Sequence, residues 1–230
     1  MDVYRIRYVF TFADGRKRVY DLGLDTKKLS LIRKHTDTSP DWTRLGYNQC
    51  VCCTLDTAKV SHCGIAMNLA DLVEEFKNDA SIDMARVAVY TEDRIYVKKT
   101  AVQRGLFSMF GIVMATSGCP IMNIFKPMAR FHLPFSTVDE TIVRSTAFYL
   151  LRQFVNRKRG READFELETL KERYQKVSQV NEGMLARIQH LIDQGDADLN
   201  AIVILNSFAQ FFELEHSQDF RVLEHLFEEE

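Results

Sequence analysis

The chain has 230 residues, 46% of them hydrophobic and 27% charged, with ten Gly, four Pro and a net charge of −2. That composition excludes a disordered, collagen-like or low-complexity chain. A chain of this length buries roughly 70% of its unfolded surface, so it needs no disulfide staples. The near-neutral total hides an asymmetry: residues 1–161 carry a net +9 and residues 162–230 a net −11. Either the acidic part docks on the basic part, within one chain or across a dimer, or the basic part meets nucleic acid or an anionic ligand. The one dense basic run, Arg157–Arg161, is short, contains Gly160 and closes a helical pattern. It reads as a solvated helix end, and nucleic-acid binding is not expected.

Val3–Phe12 alternates: Tyr4, Ile6, Tyr8, Phe10 and Phe12 share one face, and Arg5, Arg7 and Thr11 lie on the other. This is the period of a half-buried strand. Asp14-Gly15 signals a hairpin turn, with Arg18–Leu24 as the return strand. Residues 27–48 read as irregular. Ile65, Leu69, Leu72, Val73 and Phe76 form a helical stripe, and residues 85–90 and 94–99 form a second hairpin. Gly105–Phe125 contains no charged residue. Gly118-Cys119-Pro120 interrupts it and four polar residues dilute it, which predicts a core helix over about 100–115 rather than a membrane span. Residues 116–136, with three of the four prolines, read as a long non-helical connection. A helix follows over 138–156.

Beyond Gly160, Leu167, Leu170, Tyr174, Val177, Asn181, Met184, Ile188 and Leu191 are spaced 3-4-3-4-3-4-3, a heptad seam with one polar interruption at Asn181. Gln194–Asp196 ends it. Asp198 is placed to cap the next helix, which carries Leu199, Ile202, Val203 and Phe212. The seam serves either the internal packing of a helical hairpin or a dimer surface. Asn181 and Asn206 could pair across the hairpin, and Phe220–Phe227 could fold back over one end. The expected architecture is α+β: residues 1–160 with two β-hairpins and helices, and residues 161–230 as an acidic antiparallel helical hairpin.

Two clusters could carry chemistry. Cys50-x-x-Cys53 can present two thiolates to one tetrahedral ion, with Cys63, His62 or the distant Cys119 completing the set. Zinc is the metal expected there, against the alternatives of iron–sulfur, thiol redox or plain buried thiols. The second cluster, residues 116–144, gathers Ser117, Cys119, Lys126, Arg130, His132, Glu140 and Arg144. Lys126, Arg130 and His132 supply positive charge for a small anion. Glu140 and Arg144 stand i,i+4 on one helix face and can pair. Cys119 with His132 could do nucleophilic chemistry. No kinase, phosphate-loop, hydrolase, zinc-protease or deaminase signature is present.

The motifs QCVCCTL (49–55), HCGIAMNLADLVEEF (62–76), ATSGCP (115–120), KPMARFHLPFSTVDET (126–141) and NAIVIL (200–205) resemble those of an uncharacterised bacterial family known only as a domain of unknown function. The resemblance spans most of the chain and implies no activity, substrate or cofactor. The N-terminus lacks the apolar core and cleavage site of a secretory signal, and the five cysteines are odd in number. The expectation is therefore a cytoplasmic protein with reduced thiols that binds a ligand or protein partner and lies outside the membrane. Its rivals are a cysteine- or metal-dependent enzyme using Cys119 and His132, and a structural protein that dimerises through the heptad helices.

Overall fold

This computed structural model describes residues 2–32, 39–191, 195–218 and 220–227. Part of the irregular 27–48 stretch (residues 33–38) and Gln194 of the expected helix stop fall outside them. The two predicted hairpins form as β1 (Val3–Phe12) with β2 (Lys17–Asp25) and β3 (Met84–Tyr90) with β4 (Ile95–Ala101). They join into one antiparallel sheet ordered β2-β1-β3-β4. In its centre Tyr8 stands opposite Val89 and Phe10 opposite Val87. The alternation in β1 sends Tyr4, Ile6, Tyr8, Phe10 and Phe12 into the core, because successive side chains leave opposite faces of a strand.

Helix α1 (Gly64–Phe76) buries the predicted stripe. The charge-free stretch becomes α2 (Val102–Thr116), buried along almost its whole length. It starts at Val102 because strand β4 runs on to Ala101. Among the described residues no helix is long and apolar enough to cross a membrane. Helix α2 is apolar all round because it is covered on both sides. The sheet meets it at Gly105, where an added Cβ would lie 2.5 Å from the Phe10 ring and 3.1 Å from Val87. On the other side Phe107 packs against Phe208 with ring centroids 4.7 Å apart and the planes tilted by 35°.

Gly105 therefore sets how closely the central helix lies on the sheet. Alanine gains up to about 1 kcal/mol in helix propensity there, but the buried Phe10 ring has nowhere to go. Gly105→Ala should lower stability by roughly 1–3 kcal/mol. A urea midpoint at or above that of the wild type would refute this.

The expected non-helical connection contains a 3-10 turn at Met122–Phe125 and a short helix, α3 (Lys126–Arg130). Pro127 lies in the first turn of α3, where a missing N–H costs nothing, so the proline that suggested a break starts a helix instead. Helix α4 (Val138–Lys158) opens with a capping box between Thr137 and Glu140.

Helices α5 (Glu168–Ile188) and α6 (Ala197–Ser217) form the C-terminal hairpin. The seam residues from Leu170 to Ile188 are buried within the chain, so they are spent on internal packing. The N-cap of α6 is Asp196, whose carboxylate accepts from the N–H and hydroxyl of Ser81. Asp198 is instead buried inside the first turn with no hydrogen-bond partner. Asn181 and Asn206 do not pair: neither Asn181 side-chain atom has a partner, nor does Oδ1 of Asn206. The final 3-10 segment, Arg221–Leu226, folds back and buries Leu223, with Phe220 edge-on to Phe212.

One cluster of buried residues runs without interruption from the sheet through α2 into α5 and α6, across Gly160. Among the described residues no carboxylate beyond Gly160 is ion-paired to a cation before it. The acidic and basic parts meet through apolar contact and hydrogen bonds, among them those of the Ser81 hydroxyl to Asp196, Tyr149 to Asp164 and Arg187 to backbone carbonyls.

Candidate functional site

Two cavities gather most of the residues singled out above. The first, of about 130 Å³, lies between α2, the 122–136 segment, α4, α5 and α6. Its wall is largely apolar and aromatic, including Phe107, Phe125, Leu205 and Phe208, with Ser108, His132, Ser136, Thr141, Arg144, Tyr174 and Asn181 as polar exceptions. Tyr174 stacks on Phe212 with ring centroids 3.8 Å apart.

The capping box at Thr137 sets the register of α4 and brings Arg144, two turns in, back under α3. Its Nη2 donates to the carbonyls of Phe131 at 2.6 Å and Met128 at 3.2 Å. Burial pulls the Arg144 pKa below its usual range. No salt bridge joins it to Glu140, whose carboxylate accepts the Thr137 N–H. Its Nε and Nη1 have no protein partner among the described residues.

His132 sits 2.6 Å, Nε2 to phenol oxygen, from Tyr8. Burial, aided by the Arg144 charge, pushes its pKa down to about 3, so the imidazole is neutral at physiological pH. Asn181 is 1% exposed, and both its amide nitrogen and its carbonyl oxygen lack a hydrogen-bond partner. An unpaired buried amide costs about 1–3 kcal/mol.

The other expected ligand residues lie elsewhere. Arg130 lies over the Tyr4 ring at 4.1 Å. Lys126 reaches the carbonyl of Lys28 at 3.2 Å, and Glu140 is exposed in its capping box. Ser117 accepts from Asn68 at 2.9 Å and lines a shallow groove beside His62. Of the predicted set, His132 and Arg144 face the first cavity.

The second cavity is small, about 40 Å³, and largely enclosed. Cys50, Cys53, Cys63 and Cys119 all line it, with Leu45, Ile65, Val180 and Met184 around them. His62 is turned away, its Nδ1 2.9 Å from the Ser61 hydroxyl. Cys52 is also turned away, with its sulfur 3.4 Å from the Lys176 carbonyl. Burial, reinforced by the neighbouring thiols, pushes Cys50 up to about 12. Burial also raises Cys119, partly offset by the N–H groups of Met122 and Ile121 aimed at its sulfur. A protonated thiol is a poor nucleophile, and Cys119 and His132 line different cavities.

A model of the family described as a domain of unknown function, DUF6901, matches residues 6–228. The chain belongs to that family. No curated protein and no solved structure matches it. The match covers both parts of the chain and both cavities, so within this family the sheet, the charge-free helix and the C-terminal hairpin form one unit of sequence.

The residues that sequence reasoning missed in the first cavity come from α2, α5 and α6: Ser108, Tyr174 and Asn181 above all. Asn181 carried a readable signal as the one polar position in an apolar seam. Its reading as half of an Asn–Asn pair failed because the amide turns towards the cavity and not towards Asn206.

Proposed function

We propose that this family member is a binding protein for a small, largely apolar carboxylate, held in the cavity between α2, α4, α5 and α6. The observation that carries the proposal is Asn181: a buried carboxamide with neither atom partnered, lining the same cavity as the Arg144 guanidinium, which donates to backbone carbonyls through Nη2. Buried polar groups are almost always satisfied in folded proteins, and a ligand head group satisfies these. A carboxylate accepts from the Arg144 Nε/Nη1 edge and from the Asn181 amide nitrogen, and the Asn181 oxygen, itself an acceptor, is left for a water or a hydroxyl on the ligand. The aromatic wall takes the tail. The volume of about 130 Å³ is close to that of engineered apolar cavities of roughly 150 Å³ that admit benzene. The ligand is therefore benzoate-sized.

Binding is favoured over catalysis because the groups around the cavity are hydrogen-bond partners without a nucleophile–base pair. His132 is neutral and engaged with Tyr8.

The test is titration calorimetry with benzoate, hexanoate and the uncharged benzamide. Benzoate should bind saturably and at least tenfold more tightly than benzamide. Asn181→Leu should weaken benzoate at least tenfold while raising the stability of the free protein by about 1–3 kcal/mol, because the unpaired amide is removed. Equal affinity for benzoate and benzamide, or no binding of any acid by the wild type, would overturn the proposal.

A further inference from the structure

The four cysteines of the second cavity come from three separate stretches of chain. Cys50 and Cys53 bracket a tight turn closed by the Cys53 N–H to the Cys50 carbonyl at 2.9 Å. Cys63 immediately precedes α1. Cys119 follows Gly118, which adopts a φ of +80° at the end of α2. Two close approaches hold these stretches together. An added Cβ on Gly183 of α5 would lie 2.5 Å from the Cys50 sulfur, and one on Gly64 would lie 2.2 Å from the Ser117 carbonyl oxygen. Both positions accept only glycine without a shift of structure.

We propose that Cys50, Cys53, Cys63 and Cys119 form a tetrathiolate site for one zinc ion, with Arg187 of α5 as the buried cation that balances its charge. Three observations meet here. The enclosed space of about 40 Å³ is the size for an ion and too small for an organic ligand. Four cysteines line that one space, the ligand number of a structural zinc site. Arg187 is the third. It is 1% exposed and donates to the carbonyls of Trp42, Arg44 and Leu45. Its Nε has no partner, and no carboxylate pairs with it among the described residues. A buried cation without a counter-charge is strongly unfavourable. Its charge acts on Cys50.

Binding releases four thiol protons to solvent and leaves a centre of net charge −2, with no change of oxidation state. Arg187 offsets half of that charge. Among the described residues no three His, Cys, Asp or Glu side chains are already closed to metal-holding geometry. Closing the site therefore requires the thiols to turn about χ1 into the space that they line. The site takes Cys119 as its fourth ligand, and it excludes His62 and Cys52.

Elemental analysis of the full chain, purified under reducing conditions without a metal-affinity tag, tests this. The expected result is close to one zinc per chain in the wild type, in Cys52→Ser and in His62→Ala, and less than a tenth of that in Cys119→Ser. Cobalt added to the metal-free wild type should give the intense visible bands of a tetrahedral thiolate complex. Should Cys119→Ser fail to fold, alkylation of the intact wild type decides instead. Iodoacetamide should modify Cys52 alone until a chelator is added, and then all five. Zinc retained equally by Cys119→Ser, one equivalent of iron in place of zinc, or a wild type without metal that gives no tetrahedral cobalt spectrum would each overturn the assignment. So would four thiols that react alike with and without chelator.

Discussion

Replacing Arg187 with methionine should lower stability by about 2–5 kcal/mol, because buried carbonyls lose their donor at about 1–3 kcal/mol each. The guanidinium ties α5 to the 42–45 segment through three carbonyls, at 2.7, 2.8 and 2.9 Å. Methionine fills a similar volume but leaves the Trp42 and Leu45 carbonyls facing an apolar side chain without this donor, while the Arg44 carbonyl keeps the Tyr47 N–H. For a chain of this size the loss is read as a drop in melting temperature of roughly 2–4 °C per kcal/mol. Arg187→Lys should rescue little of it. A single ammonium on a flexible stem cannot span three carbonyls that a planar fork reaches together. A melting temperature for Arg187→Met within two degrees of the wild type, or full rescue by lysine, would show that the network carries no stability.

Asp198 should impose the opposite effect, and a pH-dependent one. It is fully buried at the start of α6, and neither carboxylate oxygen has a partner. Burial, with help from the nearby Asp79 charge and against the pull of Arg18, raises its pKa from 3.8 to about 8. The folded protein therefore holds a proton that the unfolded chain releases near pH 4. The stability linked to this group is fully present below about pH 4 and is lost as the pH rises towards 8. Each pH unit in that window costs up to about 1.4 kcal/mol. Asp198→Asn, which keeps the shape and cannot ionise, should be more stable than the wild type by roughly 3–5 kcal/mol at pH 8 and nearly equal to it at pH 4. The difference between the two urea-unfolding profiles isolates this group from the exposed carboxylates. A difference that stays constant from pH 4 to pH 8 would refute the raised pKa.

Asp198 and Asn181 teach the same lesson about reading helices. Asp198 looked like a cap because an acid immediately before an apolar helical run is the ordinary sign of a helix start. Asp196 takes that position, because its carboxylate is also held by Ser81 from the turn before β3. That choice depends on a residue 115 positions away, and no local pattern encodes it. Asn181 looked like half of a pair with Asn206, and it does lie in the buried seam. Whether its amide met another asparagine or a cavity depended on how α5 and α6 sit against α2.

The sequence by itself determined the strands, the long helices and the faces they bury, but not the short helix α3. The alternation in β1, the stripe in α1, the charge-free α2 and the heptad in α5 are periodic patterns written within a dozen or two residues, and periodicity follows from backbone geometry alone. It also singled out the cysteines and the 116–144 segment as chemically dense. Tertiary structure decided which members of those sets meet. Cys119 joins Cys50, Cys53 and Cys63, while Cys52 and His62 turn away. Arg144 reaches a cavity, while Arg130 covers Tyr4 and Lys126 holds the Lys28 carbonyl. The physical reason is that side chains distant in sequence become neighbours only through the packing of whole elements. Here that packing is set by close approaches at Gly64, Gly105 and Gly183, where the absence of a side chain leaves no mark in any hydrophobic pattern.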